Sequence, residues 1–350
     1  MRILRVVLTG EEPPYYTITD AFKKTFDLVD TIYWDEIKNI SEMNGIVRAR
    51  VQAIKYDAVF MQIQHPNIID VETARAMSQH ALVINWTGDV RTDIRWYEKI
   101  APYVVTLFTN MTDVENMKRK GFNAEYLQCG YDHKYYFQKH QSRYNTIGFC
   151  ANYYQQADFP LKQFRVDAVI ELKKNFPEQF HLYGSGWQNV GIKSEGNAIN
   201  EWEANLYNES LLALSVSHFD YSRYFSDRLL REMACGCCVL SHRFKDCNLE
   251  FTEGKHILYW DNLKQLTELC NYYFEHPQKA IEIGEAAAEY VRENYSWEVF
   301  TKNLLKIIKN KICFIMGILQ PGITIFMELP QLNLFPMTPF NHLWTRLSLR

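Results

Sequence analysis

The sequence predicts an α/β protein of two Rossmann-like, doubly wound domains facing a cleft. Three observations carry that prediction. Short apolar runs alternate with helical stretches through the first half, and the alternation restarts after Arg143. The 350 residues also suffice for two separate cores, at about 100 to 200 residues per domain. The expected division is a first domain over 1–140, a second over 141–310 and an apolar tail over 311–350.

In the first domain, Ile3 to Leu8, Ala58 to Ile63, Ala81 to Trp86 and Val104 to Phe108 are short, mostly uncharged and rich in Val, Ile and Phe, as strands buried on both faces should be. Helical stretches fall near 41–55, 69–79 and 112–120. Leu127 to Phe137 reads as an interdomain hinge or, alternatively, a plain turn. The second domain has strands at Thr146 to Cys150, Gln179 to Tyr183, Leu211 to Val216 and Cys237 to Ser241, with helices near 161–176, 226–235, 262–276, 278–294 and 297–310. The tail is almost uncharged. Its apolar run from Ile312 to Met327 contains Gln320 and Pro321 and falls short of the roughly 20 residues a spanning helix needs. Surface docking, membrane contact and a non-native extension of the reading frame remain alternatives for it.

A net charge of -3 and a pI near 6.4 argue against nucleic acid as a partner. The start, Met1 to Leu8, moves directly into a strand pattern and has no signal-peptide character, so a cytoplasmic location is expected. The eight cysteines have no framework spacing, and reduced thiols are expected. Cys235 and Cys238 form a Cys-x-x-Cys that straddles a helix end and an apolar strand, where small buried residues explain it.

Tyr224 to Leu240 is the most informative stretch. Ser226 is an N-cap candidate with Asp227 in the first turn; Leu229, Leu230, Met233 and Ala234 form an apolar stripe, and Gly236 stands where a helix ends in a left-handed residue. Arg228 and Glu232 share one face. A cation and a carboxylate one turn apart, beside a helix N-terminus, suit a ligand with a pyrophosphate and sugar hydroxyls; the alternative is a surface salt bridge worth about 0.3 to 0.5 kcal/mol. The order aromatic-Ser-x-Arg-Leu-x-x-Glu-x-Ala-Cys-Gly is similar to the donor-site helix of GT-B glycosyltransferases and resembles most their group 1 and CgeB-type, spore-maturation-protein-like branch. The resemblance implies that Glu232 binds the ribose of a nucleotide. It also implies that Tyr224 stands where related enzymes carry a second Glu against the donor sugar. Leu127 to Phe137 is similar to the segment closing the N-domain of that fold, with Gly130 and Asp132 at the matching places.

Ligands in open α/β sheets sit beyond the carboxyl ends of the strands. On that rule Gly88 and Asp89, after Trp86, face the cleft; Asp89 either accepts a proton from an acceptor hydroxyl or caps the following helix. His65, after Ile63, is a second candidate base or else a structural histidine. Gly10, after the first strand, offers close backbone approach, whereas Pro13 and Pro14 suggest a rigid turn. Gly184 and Ser185 form a tight loop similar to the family's Gly-x-Gly. Asn152 and Tyr153 contact base or phosphates in one reading and cap a loop in the other. The full Gly-x-Gly-x-x-Gly pattern is missing, which counts against an NAD enzyme, and so are Walker, zinc-protease and Asp-x-Asp motifs.

The resulting expectation is a metal-independent glycosyltransferase with no resident cofactor, taking a UDP- or GDP-sugar as co-substrate and a glycan, lipid-linked or protein acceptor. A non-hydrolysing nucleotide-sugar epimerase and a catalytically silent sugar-nucleotide binding module are the alternatives.

Overall fold

The computed structural model describes residues 1–9, 16–66, 68–91, 93–156, 159–315 and 317. One compact unit runs Met1–Lys311. The Ile312–Arg350 unit, and with it the expected apolar tail, lies outside the described residues apart from 312–315 and 317.

The first half winds β1 (Arg2–Val7), α1 (Tyr16–Thr25), β2 (Leu28–Tyr33), α2 (Ile40–Ala53), β3 (Ala58–Met61), α3 (Val71–Ser78), β4 (Leu82–Trp86), α4 (Arg95–Ile100), β5 (Val105–Phe108), α5 (Met111–Arg119) and β6 (Ala124–Tyr126) into a sheet of order β2-β1-β3-β4-β5-β6, all parallel. The second half winds β7 (Tyr144–Cys150), α6 (Lys162–Asn175), β8 (Phe180–Tyr183), α7 (Glu201–Glu209), β9 (Ser210–Ser215), α8 (Asp227–Ala234), β10 (Cys238–His242), β11 (Leu258–Trp260), α9 (Leu263–Glu275), α10 (Pro277–Asn294) and α11 (Trp297–Ile315) around a parallel sheet of order β11-β10-β9-β7-β8. Central strands β3, β5 and β9 are buried along their whole length, which is why they carry no charged residue. Asn39, Asp70, Asn110 and Asn262 start their helices by accepting from the backbone N–H three residues on.

In each sheet the strand order reverses once, between β1 and β3 and between β7 and β9. Chains leave these neighbours toward opposite faces, so a crevice opens at their carboxyl ends. Most of the candidate residues line these two crevices.

The stretch from Leu127 to Phe137 joins the two halves closely. A Cβ added to Gly130 would meet the Trp297 ring at 2.8 Å, and Tyr131 bridges Ser296. Arg143 donates to the carbonyls of Tyr207 (2.7 Å), Ser210 (2.8 Å) and Cys235 (2.5 Å), closing the carboxyl ends of α7 and α8. Helix α11 crosses back onto the first sheet, with Phe300 against Trp86 (5.0 Å between rings) and Thr25 bonded to Thr301. Cys235, Cys237 and Cys238 are buried and all eight cysteines are free. No helix among the described residues is long and apolar enough to cross a membrane.

Candidate functional site

The crevice at the β7/β9 reversal is a cavity of ≈ 750 Å³. Helix α8 enters it because Leu229, Leu230 and Met233 are drawn into the core, and Gly236, at φ +73°, ends the helix. Ser226 takes the N-cap position, but its side chain makes no capping bond. Arg228 and Glu232 do share one face, and it is the inward one. Arg228 is 8% exposed, donates through Nη2 to the carbonyl of Val216 at 3.0 Å and sits 3.3 Å through Nε from Oε1 of Glu232. The pair is therefore no surface salt bridge.

Glu232 departs from its expected place. It is 0% exposed and is not among the residues lining the cavity; it lies behind Arg228, where Tyr207 donates to it at 3.4 Å. Tyr207 in turn accepts from the backbone N–H of Cys150 at 3.1 Å. The apolar face that folds α8 pulls Glu232 inward with it, so its first contact is Arg228 rather than the cavity. Burial pushes its carboxyl up to about 8, against the opposing pull of Arg228.

A second buried arginine, absent from the sequence expectations, stands beside the first. Arg165 of α6 is 2% exposed, and both guanidinium groups lie 5.2 Å from the centre of the Phe149 ring. Nη1 of Arg165 is 2.7 Å from Nε2 of His218, and its Nε has no hydrogen-bond partner. Burial and the two guanidinium groups depress His218 to about 2, so the ring is neutral and accepts from Arg165. Burial and the neighbouring Arg228 also lower Arg165 well below its ordinary value. Two cations thus share one ring, and only Arg228 touches a carboxylate. Arg231, also lining the cavity, is held by Glu203 at 2.8 Å.

The loops after β7 and β8 close the far end. Gly184 is at φ +125°, and a Cβ there would meet the Ala151 carbonyl oxygen at 2.1 Å, so only glycine fits. Asn152 accepts from the N–H (2.9 Å) and hydroxyl (3.2 Å) of Ser185; it staples the two loops and also lines the cavity. Tyr153 turns away instead, tilting onto Trp187 at 5.7 Å, and its neighbour Tyr154 takes the place in the wall. Adjacent side chains leaving a strand point to opposite sides, which explains the exchange.

The crevice at the β1/β3 reversal is a smaller cavity of ≈ 280 Å³. Asp89, Tyr224, Ser226 and Asp227 line both cavities and mark their junction. Tyr224 donates to Oδ1 of Asp89 at 2.6 Å, joining the two halves, and Val90 N–H binds the same oxygen at 2.7 Å. Asp89 is solvent-exposed at the junction, yet protein crowds it enough to raise its carboxyl above the ordinary value despite both bonds. It binds the N–H of the next residue rather than capping α4, whose N-cap is Ile94. Gly88 lines the smaller cavity at φ +68°. His65 does not face the cleft: it is exposed and lines neither cavity, while Gln62 and Gln64 on the same exit loop point in. Gly10 lies outside the described residues.

Residues 162–306 match a protein family described as glycosyl transferase-like. No curated protein matches the chain in sequence. Solved structures match it in shape. A glycosyltransferase from Rickettsia africae ESF-5 aligns with TM-score 0.63 at 12% identity, over 89% of this chain and 98% of that one. Sucrose-phosphate synthase from Thermosynechococcus elongatus aligns with 0.61 at 11%, over 90% and 100%. HepE of Anabaena, in complex with UDP, aligns with 0.60 at 11%, over 89% and 100%. Two parallel α/β sheets meeting at a two-chambered cleft, and a glycosyl transferase-like second half, give this chain the GT-B fold.

Proposed function

We propose that the protein is a glycosyltransferase of the CgeB-type branch that moves a sugar from a nucleoside-diphosphate sugar to an acceptor hydroxyl without a metal ion. The observation that supports this most is the buried Arg165 and Arg228 pair on Phe149. A buried cation with no carboxylate partner is costly, and a bound diphosphate supplies the missing countercharge. The same pair then stabilises the leaving nucleoside diphosphate as the glycosidic bond breaks. Glu232 and Val216 hold Arg228 in place from behind, and His218 does so for Arg165. Ser226 and Asp227, at the start of α8, border the transferred sugar. Asp89, fixed by Tyr224, accepts the hydrogen bond of the acceptor hydroxyl and orients it toward the anomeric carbon. A UDP-sugar is favoured over a GDP-sugar, because HepE of Anabaena binds UDP and UDP-glucose. A glycan, lipid-linked or protein hydroxyl is the acceptor, and the cytoplasm, where nucleotide sugars are made, is the working location.

The test is a thermal-shift panel of UDP, GDP, TDP, ADP and CMP on wild type and Arg165→Met. One nucleoside diphosphate should stabilise the wild type by about 2.7 kcal/mol at 100 times its Kd and leave the variant unmoved. A panel with no shift sinks the transferase reading.

A further inference from the structure

We propose that the smaller cavity is a subsite for an uncharged sugar ring, whose hydroxyls are read by the carboxamides of Gln62 and Gln64. This rests on the nucleotide-sugar reading of the larger cavity, because the two chambers share one junction. Gln62 and Gln64 leave β3 two residues apart, hence on the same side, at the reversal point of the first sheet. Room for them comes from Gly88: a Cβ there would lie 2.6 Å from Nε2 of Gln64, 3.5 Å from Nε2 of Gln62 and 3.4 Å from the Trp86 ring. Neither carboxamide makes a hydrogen bond among the described residues. Each therefore offers a free donor pair and a free acceptor, the complement of a vicinal diol.

The charge pattern narrows the ligand. The described lining contains no Lys, Arg or His, and its two charged residues, Asp89 and Asp227, are both acidic. A phosphate or carboxylate on the ring would meet Asp89 and Asp227, and the cation beside Asp227, Arg231 at 3.6 Å, is already held by Glu203. Leu8, Ile18 and the apolar surface that Trp86 and Trp297 contribute to the lining suit the C–H face of a pyranose instead. Two rings have this chemistry, the donor's transferred sugar and the acceptor's sugar.

Saturation-transfer NMR reads the cavity directly, using glucose, galactose, mannose and N-acetylglucosamine against glucuronic acid and glucose 6-phosphate, each with and without UDP. At least one neutral sugar should bind wild type, and the Gln62→Ala, Gln64→Ala double variant should weaken it about ten-fold or more. The acidic sugars should give no signal. Gln64→Arg keeps the bulk at that position and should admit glucose 6-phosphate, which guards against a double variant that merely misfolds. Calorimetry with UDP and UDP-glucose separates the two sources. If the donor ring occupies the cavity, the double variant weakens UDP-glucose and spares UDP; if the acceptor ring does, it spares both and loses only the free sugar. Acidic sugars binding as well as neutral ones, no neutral sugar binding wild type, or folded variants that bind as wild type does would each overturn the proposal. Neutral-sugar binding through Gln62 and Gln64 without any UDP binding would keep the cavity assignment and fail the nucleotide reading.

Discussion

The two crevices share a topology and four junction residues, and differ in the chemistry of the rest of their walls. Each lies where its sheet reverses strand order, and each is walled by the exits of the first and third strands. Around the second reversal stand Arg165, Arg228, Arg231 and Arg91; around the first, glutamine amides and tryptophan rings. The fold supplies a pair of equivalent hollows, and on the proposed reading a handful of strand-end residues suits one to a diphosphate and the other to a neutral ring.

The sharpest way to break this division is at the junction. Asp89→Asn should cut turnover by about 10² to 10⁴-fold while leaving UDP affinity as in wild type, because Asp89 stands at the junction and bonds Tyr224 and the Val90 N–H rather than Arg165 or Arg228. A loss of UDP affinity equal to the loss of turnover would show that the chambers do not divide the substrates. Next in size, Arg165→Met should weaken UDP by about 2 to 4 kcal/mol, measured by titration calorimetry. The melting temperature without ligand should hold or rise, since a buried cation with only a neutral partner is replaced by an apolar chain of similar volume. A variant that melts early but binds normally would make Arg165 structural.

Gly184→Ala tests the wall of the larger chamber. The clash with the Ala151 carbonyl at positive φ should lower stability by about 1 to 3 kcal/mol and loosen UDP with it, read by urea unfolding and calorimetry. The matching change at Gly88 should spare UDP.

Glu232 gives a pH signature of opposite sign to an ordinary salt-bridged carboxylate. Its folded value of about 8 lies above the ordinary 4.5, so between those values the native protein holds a proton that the unfolded chain has released. Stability therefore falls as pH rises through that window, by at most about 1.4 kcal/mol per unit, and Glu232→Gln should remove the slope. Parallel unfolding curves for the two proteins would show the carboxyl already ionised against Arg228. The smallest effect is expected from Tyr224→Phe, about 1 kcal/mol in the orientation of Asp89, seen as a modest fall in kcat with UDP affinity unchanged.

Much of this architecture is legible in the sequence, and the misses have physical causes. Central strands such as Ala58–Met61 are apolar because both faces are covered; β2, with Asp30 and Thr31 at an open sheet edge, carries no such run, and β6 and β11 are three residues each. Helix α8 was readable from its cap residue, stripe and terminal glycine because all its signals are local. Arg165 and His218 were not, since they meet only after α6 and β9 are brought beside each other. His65 drew attention as a titratable residue, whereas strand alternation turns the plainer Gln64 inward.

Helix α11 has one consequence for how the chain is made. It covers Phe60 and Trp86 with Phe300, and Thr25 waits for Thr301 across a separation of 276 residues. During synthesis the first sheet must leave the ribosome with that aromatic face bare, and it stays bare until the second half has been translated and folded. Maturation of the amino-terminal half is thus timed by the carboxyl-terminal one, and a nascent chain stalled before Trp297 presents a sticky surface to chaperones.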